Sequence, residues 1–273
     1  MKLHFDVETD SAVRRIAVDV DTFVVAGWAG RDLAAIEHHI EELAELGVPR
    51  PSAVPLFYRV AENQLTQASS IQALGPDSSG EVEVLVFMAD GEMFISLTSD
   101  HTDRKLEAQS VALAKQMCAK PVAAKAWRFA DVADHWDELV IRSFIPDGDR
   151  QVTYQDGTLA ALRPPLNLLA GYLGEAAPAW PAGLAMSCGT VGAIGGIRNC
   201  QAERGELIAD RVGSRPVLAR TCLCALFQFH DIPLFLKERA GCDTHFRSDF
   251  TDSMFSGICF DTVQKGAGDA LSL

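Results

Sequence analysis

The sequence predicts a fold built mainly from β-strands, and three observations support this. Residues Leu3 to Val25 alternate enough between apolar and polar side chains to form short strands. The segments Glu81–Met88 and Glu92–Thr98 are rich in strand-forming residues, and they flank Asp90-Gly91, a dipeptide typical of a two-residue hairpin turn. A helix is predicted from about Arg31 to Leu46, where apolar residues recur at helical spacing.

The other elements follow less clearly from the sequence. Leu56–Val60 and Leu65–Leu74 have the pattern of extended chain, and further helical segments are predicted at Leu106–Met117 and near Val132–Ser143. The chain after about Asn199 has poor periodicity and carries five of the seven cysteines. No structure is predicted for that region.

Composition and charge exclude several classes of protein. The chain has 24 Lys and Arg against 37 Asp and Glu, a net charge of −13, so it lacks the basic face that nucleic-acid binding needs. Residues Met1 to Asp10 carry acids and no apolar core, and no apolar run approaches the length of a membrane span. We therefore expect a cytoplasmic protein. The seven cysteines lack paired CxxC motifs, which indicates neither a disulfide framework nor a structural zinc site.

Three carboxylates are predicted to meet on one hairpin. Glu81 and Glu83 point to the same face of a strand because their side chains are two residues apart. If Asp90-Gly91 is a two-residue turn, Asp100 lies directly opposite Glu81. Such a cluster of like charges raises the pKa values of its members unless a cation lies among them. A hard divalent ion such as Mg²⁺, Mn²⁺ or Ca²⁺ satisfies this condition, whereas a solvent-exposed acidic face is the alternative.

The helix from Arg31 carries a second candidate group. His39 lies at the border of its apolar stripe, whereas His38 is predicted to point away from it. Glu42 is three residues further on and can orient the imidazole of His39, as a general base requires. A surface pair is the alternative for this motif, and a structural histidine is the interpretation for His135.

Two further features could contact an anionic ligand. Lys115 follows the apolar residues 111–114, so it is either partly buried and directed at a ligand or extended to water. The glycine-rich run from Cys188 to Gly196 allows backbone to approach a ligand closely, or it forms a tight turn. It lacks the lysine of a P-loop, so nucleotide binding is weakly supported.

Taken in order, these motifs resemble those of the fumarylacetoacetate hydrolase superfamily. The lid helix of that superfamily carries H-x-x-E and then P-x-x-P-x-l-F, which this chain matches with His39-Ile40-Glu41-Glu42 and Pro51-Ser52-Ala53-Val54-Pro55-Leu56-Phe57. Its metal-binding E-x-E resembles Glu81-Val82-Glu83.

The remaining motifs of the superfamily follow in the same order. N-D-x-T-A-R-D-L-Q resembles the run from Ser99 to Glu107, although Asp103 and Lys105 differ from the pattern. A later A-K-s segment resembles Ala114-Lys115-Gln116, and the glycine-rich G-T-P-x-G-x-G loop resembles Gly189-Thr190-Val191-Gly192. More narrowly, the chain resembles the DUF2848 family. The resemblance covers roughly residues 25 to 198.

The resemblance implies an α+β, mainly β fold: a fumarylacetoacetase-like mixed β-roll with a short lid helix, usually dimeric. We accordingly divide the chain into residues 1–75 with the N-terminal strands and the lid helix, a metal-binding core at 76–198, and an atypical C-terminal region at 199–273. A homodimer is expected.

The resemblance also implies a metal-dependent hydrolase or lyase that acts on a 2-oxo acid or β-dicarbonyl compound through a metal-stabilised enolate. In this interpretation Mg²⁺ or Mn²⁺ is held by Glu81, Glu83 and Asp100. The expected catalytic residues are His39, Glu42 and Lys115, and the expected substrate-binding residues are Arg104 and Thr190. For Arg104, pairing with nearby acids is an equal alternative.

Three classes of function remain open from the sequence. The first is the enzyme described above, which includes isomerases and hydratases of the same superfamily. The second is a protein that binds a metal or small molecule without catalysis on the same fold. The third is a β-rich interaction protein without a metal, which requires the three acids to be splayed apart.

Overall fold

A computed structural model describes residues 1–8, 13–45, 50–176, 179–199, 202–212 and 215–230. Residues Met1–Ile232 form one compact unit. The predicted C-terminal region is therefore described only in part, and residues 231–273 lie outside the described residues.

Seventeen strands lie in the described part of the chain, several of them only two residues long. The strands that precede Asp100 are β1 (Lys2–Glu8), β2 (Val13–Asp19), β3 (Thr22–Gly27), β4 (Leu56–Val60), β5 (Leu65–Thr66), β6 (Ser70–Leu74), β7 (Ser78–Ser79), β8 (Val82–Ala89) and β9 (Glu92–Ser99). Those after it are β10 (Thr102–Asp103), β11 (Lys120–Pro121), β12 (Lys125–Arg128), β13 (Val140–Asp147), β14 (Arg150–Thr158), β15 (Leu184–Ser187), β16 (Ala202–Val212) and β17 (Arg215–His230).

The helices are few and short. They are α1 (Leu33–Glu45), α2 (Arg104–Glu107), α3 (Val111–Met117) and α4 (Pro165–Leu173). The predicted first helix is confirmed as α1. The predicted helix at Leu106–Met117 is divided into α2 and α3, because the side chain of Ser110 accepts a hydrogen bond from the backbone of Leu113 and begins a new helix. No described helix has the length and apolar character needed to cross a membrane.

Two mixed sheets form the body of the fold. The larger has eight strands in the order β2-β1-β12-β9-β8-β15-β3-β4, and the smaller has five in the order β14-β13-β16-β17-β6. In the larger sheet the pairs β1 with β12 and β15 with β3 are parallel, and the other pairs are antiparallel. This is the mixed, mainly β architecture that the resemblance implies.

The β8–β9 hairpin at the centre of the large sheet forms as the sequence predicts. Ala89 pairs with Glu92 across a two-residue turn, in which Asp90 and Gly91 both have positive φ angles of 50° and 78°. Two successive positive φ angles are the signature of a type I′ turn, and Asp-Gly adopts it readily. The turn fixes the register of every pair further along the hairpin.

Both faces of this hairpin are covered by core residues. Val82, Val84 and Val86 pack in one apolar cluster, whereas Leu85 and Phe87 pack in another. Alternate side chains of one strand thus bury in opposite directions. Glu83 lies on the same face as Leu85 and Phe87, so its carboxylate is directed into the protein.

The prediction of a helix near Val132–Ser143 is wrong. A short 3₁₀ segment, Ala133–Glu138, is interrupted at His135, whose φ and ψ are −132° and 29°. From Val140 the chain is strand β13, where Ile141, Ser143 and Ile145 alternate as buried side chains. Period-two burial against β14 and β16 prevails over the weak helical pattern.

Candidate metal centre and active site

The carboxylates of Glu81, Glu83 and Asp100 meet at the open end of the β8–β9 hairpin. One oxygen from each lies within 4.8 Å of the others. Glu83 pairs with Thr98 in the sheet, and the Asp100 N–H donates to the carbonyl of Glu81 at 2.8 Å. The predicted register and the predicted convergence of the three side chains are thus confirmed. Their role as metal ligands stays a prediction.

These acids are not a solvated surface patch. Glu83 is only 3% exposed and Asp100 only 2%, while Glu81 is partly buried. The alternative of a solvent-exposed acidic face is therefore wrong for Glu83 and Asp100, and the acids are not splayed apart. Burying three carboxylates requires compensating charge or protonation.

The protein itself supplies three basic side chains to this cluster. Lys115 forms an ion pair with Oδ2 of Asp100, and the Nζ of Lys120 lies 3.0 Å from Oδ1 of the same residue. Arg104 lies 3.3 Å from Glu81. Of the two alternatives for Lys115 the buried one is observed, because its ammonium group lies on Asp100 and does not extend to water, and a contact with a ligand stays a prediction.

Asp100 and Lys115 stabilise each other's charged forms. Burial alone would raise the pKa of Asp100, but the charges of Lys115 and Lys120 outweigh burial and hold this pKa well below its usual range. Burial opposes the charge on Lys115 as well, yet the nearby carboxylate of Asp100 raises the pKa of Lys115. Asp100 is therefore ionised and Lys115 is protonated near neutral pH.

Glu83 has a different environment from Asp100. Its carboxylate accepts hydrogen bonds from the Ser187 hydroxyl and, at 3.1 Å, from the Gly189 N–H. Burial and the negative charge of Asp100 nevertheless raise the pKa of Glu83 to about 8. Ionising two carboxylates this close to each other costs free energy unless positive charge is added beside them.

The cluster has the donor set of a hard divalent cation. Mg²⁺ is held in proteins by one or a few carboxylates with water in the remaining positions, and Mn²⁺ accepts the same oxygens. Among the residues that the structure describes, no salt bridge is formed with Glu83, whereas Asp100 is paired with Lys115 and Lys120 and Glu81 is paired with Arg104. A divalent ion would displace the proton from Glu83, so the residues present fit such an ion.

Gly189 brings the glycine-rich loop against this site. Its φ is +87°, and a Cβ atom at this position would lie 2.5 Å from the Cβ of Ala29. Only glycine therefore lets the loop pack here while its N–H binds Glu83. The backbone of this loop closely approaches a carboxylate of the protein, and its approach to a ligand stays a prediction.

Thr190, the predicted substrate-binding residue on this loop, is held by the protein. Its hydroxyl donates to the carbonyl of Val82 at 2.7 Å, and it accepts a hydrogen bond from the side-chain amide of Gln155. Gln155 also accepts from the Val82 N–H at 2.9 Å. A contact between Thr190 and substrate stays a prediction.

Arg104, the other predicted substrate-binding residue, pairs with acids. Besides Glu81, it donates to Glu107 at 2.9 Å and to the Ser79 hydroxyl at 2.6 Å. Burial disfavours its charge, but Glu81 and Glu107 outweigh burial and raise the pKa of Arg104. The pairing alternative from the sequence is thus observed, and a substrate contact stays a prediction.

Helix α1 presents the predicted His39–Glu42 pair at the protein surface. Nδ1 of His39 lies 3.4 Å from Oε2 of Glu42. His38 also lies 3.4 Å from this carboxylate, so spacing alone does not separate the two histidines. The side chain of His39 is the less exposed, at 53% against 73%, because it packs against the ring of Trp28.

Two buried residues near the site are absent from the sequence prediction. Lys120 belongs to the short strand β11, and Glu203 belongs to β16. Glu203 accepts a hydrogen bond from the Ser99 hydroxyl at 2.8 Å, and burial raises its pKa to about 7. An isolated lysine in the apolar run 118–124 is the one signal for Lys120, whereas the irregular sequence around Glu203 contains none.

The sequence itself assigns the family. The family model of DUF2848, described as a protein of unknown function, matches residues 26–216. The chain belongs to this family. The match contains every residue of the site described above in this chain, and it extends into strand β17. No match was found among functionally curated proteins.

Solved structures share the fold of this DUF2848 protein at low sequence identity. One from Burkholderia cenocepacia, provisionally assigned as a fumarylpyruvate hydrolase, is 16% identical with a TM-score of 0.53, and the alignment covers 85% of this chain and 96% of that one. A 2-keto-3-deoxyarabinonate dehydratase is 15% identical with a TM-score of 0.56, covering 82% of this chain and 79% of the other.

A third structure contains a metal. It is a 2-keto-3-deoxy-D-arabinonate dehydratase complexed with magnesium and 2,5-dioxopentanoate, 15% identical with a TM-score of 0.51 over 81% of this chain and 78% of that one. These similarities show that the DUF2848 chain has the fold of the fumarylacetoacetate hydrolase superfamily.

Proposed function

We propose that this protein is a divalent-metal-dependent enzyme, a hydrolase or lyase, that acts on a 2-oxo acid or β-dicarbonyl compound. One observation carries the proposal: three carboxylates, two of them buried and the third partly buried, converge within 4.8 Å beside a protonated lysine. Proteins rarely bury such a cluster without a function for it. The magnesium and the 2,5-dioxopentanoate in a structure of the same fold support this choice of metal and substrate class.

Glu81, Glu83 and Asp100 would hold Mg²⁺ or Mn²⁺. When bound, the ion would act as a Lewis acid on the carboxylate and oxo oxygens of the substrate and so lower the cost of enolate-like negative charge. The three residues come from one rigid hairpin in the centre of the sheet, which keeps their oxygens in place.

Lys115 would stabilise negative charge on the substrate, and the His39–Glu42 pair would transfer protons. The Nζ of Lys115 carries a full positive charge beside the cluster and would neutralise negative charge that develops on the substrate. Nδ1 of His39 lies toward Glu42, which leaves Nε2 to take or give the proton, or to activate a water molecule.

Arg104 and Thr190 would bind the substrate at the two sides of the cluster. Arg104 is anchored by Glu81 and Glu107, so it can offer a fixed positive charge to an anionic group. Thr190 is anchored by Gln155 and Val82, and one lone pair of its hydroxyl can still accept a hydrogen bond. A homodimer and a location in the cytoplasm stay predictions from the sequence.

Calorimetric titration of Mg²⁺ and Mn²⁺ into metal-stripped protein tests this function, with and without oxalate as an enolate mimic. We expect metal binding, and we expect bound metal to tighten the affinity for oxalate. Glu83→Gln keeps an acceptor for Ser187 and Gly189 but should abolish binding of the metal. Glu92→Gln, on the exposed end of the same hairpin, is the matched control and should bind as wild type does.

Two results would contradict the proposal. Absence of metal binding in folded wild-type protein removes the site altogether. Metal and oxalate binding without turnover of any 2-oxo acid, tested for cleavage, decarboxylation, isomerisation and hydration, would leave a binding protein.

A further inference from the structure

We propose that Trp28 and Tyr58 form an aromatic subsite, which binds a flat, apolar substituent of the substrate beside the carboxylate cluster. This inference rests on the proposed function, because the cluster would hold the 2-oxo acid head of the same molecule. It names the substrate class more narrowly: a 2-oxo acid that carries an aromatic or conjugated group, in preference to a short aliphatic one.

Tyr58 lies directly beside the cluster. The Nζ of Lys115, which pairs with Asp100, is 5.7 Å from the centroid of the Tyr58 ring. This is the distance of a cation–π contact. The ring packs over Gly27, where a Cβ atom would lie only 2.9 Å from Cε2 of Tyr58. The aromatic face thus begins next to the cation that borders the site.

Trp28 extends this surface toward helix α1. Its indole ring is 5.8 Å from the imidazole of His39. Burial raises the pKa of the Tyr58 phenol, and the side chain of Trp28 and the charge of Lys115 oppose that rise. Trp28 and Tyr58 therefore connect the proposed proton-transfer residue with the cluster, where a substrate that contacts both must lie.

The burial of the four tryptophans distinguishes Trp28 from the rest. Trp127, Trp136 and Trp180 are core residues with exposures of 2%, 7% and 7%. Trp28 is partly buried and lies outside the apolar core clusters of the described residues. Part of its indole surface is thus left for another molecule. Flat π surfaces are the groups that an indole and a phenol ring bind best.

The backbone at Trp28 points to the same conclusion. Its φ is +59°, in the left-handed region that bulky residues rarely adopt. Such a conformation costs free energy, and it is typically found where a side chain must be held in a functional position. Here the indole lies beside the imidazole of His39.

Calorimetry with two ligands tests the subsite in protein supplied with Mg²⁺. Phenylpyruvate and pyruvate share the 2-oxo acid head, but only phenylpyruvate carries a ring. We expect wild type to bind phenylpyruvate at least about tenfold more tightly, which corresponds to the energy of one aromatic contact with its buried area. Trp28→Ala should reduce this ratio to below about threefold, with the affinity for pyruvate unchanged.

Two further variants make the result specific. Trp28→Phe keeps an aromatic ring and should retain most of the preference. Leu33→Ala changes an exposed apolar residue on α1 and should retain all of it. An unchanged ratio in Trp28→Ala, or equal affinities in wild type, would overturn the subsite. Failure of wild type to bind Mg²⁺ would overturn the proposed function instead, and the two-ligand comparison without metal would then decide on the subsite.

Discussion

The Nζ of Lys120 lies 3.0 Å from Oδ1 of Asp100, and the side chain of Lys120 is completely buried. Lys120 also donates a hydrogen bond to the carbonyl of His101. Together with Lys115 it places two lysine side chains on one carboxylate, although burial lowers the pKa of Lys120, whereas the pKa of Lys115 is raised. The charge of Asp100 is therefore balanced by the protein, and a metal ion at the cluster would chiefly compensate Glu83.

Lys120→Met should destabilise the protein in the absence of metal. Removing one partner of a buried ion pair costs about 3–5 kcal/mol, and because Asp100 keeps Lys115, we expect a loss of about 3 kcal/mol in the free energy of unfolding. Saturating Mg²⁺ should stabilise Lys120→Met more than wild type, since the dication replaces the missing charge. Urea unfolding with and without Mg²⁺ measures both effects.

The exposed Lys105 on α2 provides the control for this variant. Lys105→Met should change the free energy of unfolding by less than about 0.5 kcal/mol. If the Lys120→Met protein without metal is as stable as wild type, Lys120 does not compensate the charge of Asp100.

The affinity for Mg²⁺ should depend on pH through Glu83. Its pKa is raised from 4.5 to about 8, so between these values the folded protein keeps a proton that the unfolded chain releases. The folded state without metal therefore loses stability as pH rises through this window. A metal ion must displace the proton, so the Mg²⁺ dissociation constant should fall about tenfold per pH unit near pH 6 to 7.

Calorimetry across pH 6 to 9 measures this dependence. Above the pKa of Glu83, about 8, the affinity should level off because no proton remains to be displaced. A dissociation constant that does not change between pH 6 and 8 would show that Glu83 is already ionised or is no ligand.

Replacement of His39 should show whether the protein is an enzyme or a binding protein without catalysis. His39→Ala removes the proposed proton-transfer group, and general acid–base catalysis contributes about 10²–10⁴-fold, so turnover should fall by about that factor. Mg²⁺ affinity should be unchanged, since His39 is not in the carboxylate cluster. His38→Ala is the matched control, because His38 is equally close to Glu42 but more exposed. Equal losses in the two variants would refute the assignment of His39.

A substitution at Gly80 tests how closely the side chain of Glu203 packs against the backbone at this position. A Cβ atom at Gly80 would lie 1.9 Å from Oε2 of Glu203 and 2.6 Å from Oγ of Ser99. Gly80→Ala should therefore destabilise the protein by about 1–3 kcal/mol, the usual cost of an overpacked site. Chemical unfolding of Gly80→Ala measures this loss.

A double variant and a control assign the loss to the contact with Glu203. Combining Gly80→Ala with Glu203→Ala should cost less than the sum of the two single changes, because the clash is relieved. Gly192→Ala is the control, since no atom lies within 4 Å of the added Cβ there. Additive losses in the double variant would contradict the contact.

The hairpin and its acids could be predicted because they depend on local rules. A two-residue turn at Asp90-Gly91 and period-two alternation together fix which residues face each other, so the position of Asp100 opposite Glu81 follows without any tertiary information. The burial of Lys115 was one of two alternatives, and only the packing of α3 decides between them.

The rest of the site depends on distant parts of the chain. Lys120 reaches Asp100 because β11 pairs with β5, and Glu203 reaches Ser99 because β16 joins the smaller sheet. Neither pairing leaves a periodic signal near these residues. The sequence does not reveal the strand at Val140, because its alternation is short and begins next to a 3₁₀ segment.

The order in which the cluster assembles follows from the hairpin turn. Glu81, Glu83 and Asp100 are brought together by β8 and β9 alone, whereas Lys115 and Lys120 arrive only when later segments dock. We expect a hairpin that forms early to gather negative charge before the lysines can balance it. Mild acid or a divalent cation in the refolding buffer should then accelerate folding, which stopped-flow refolding measures.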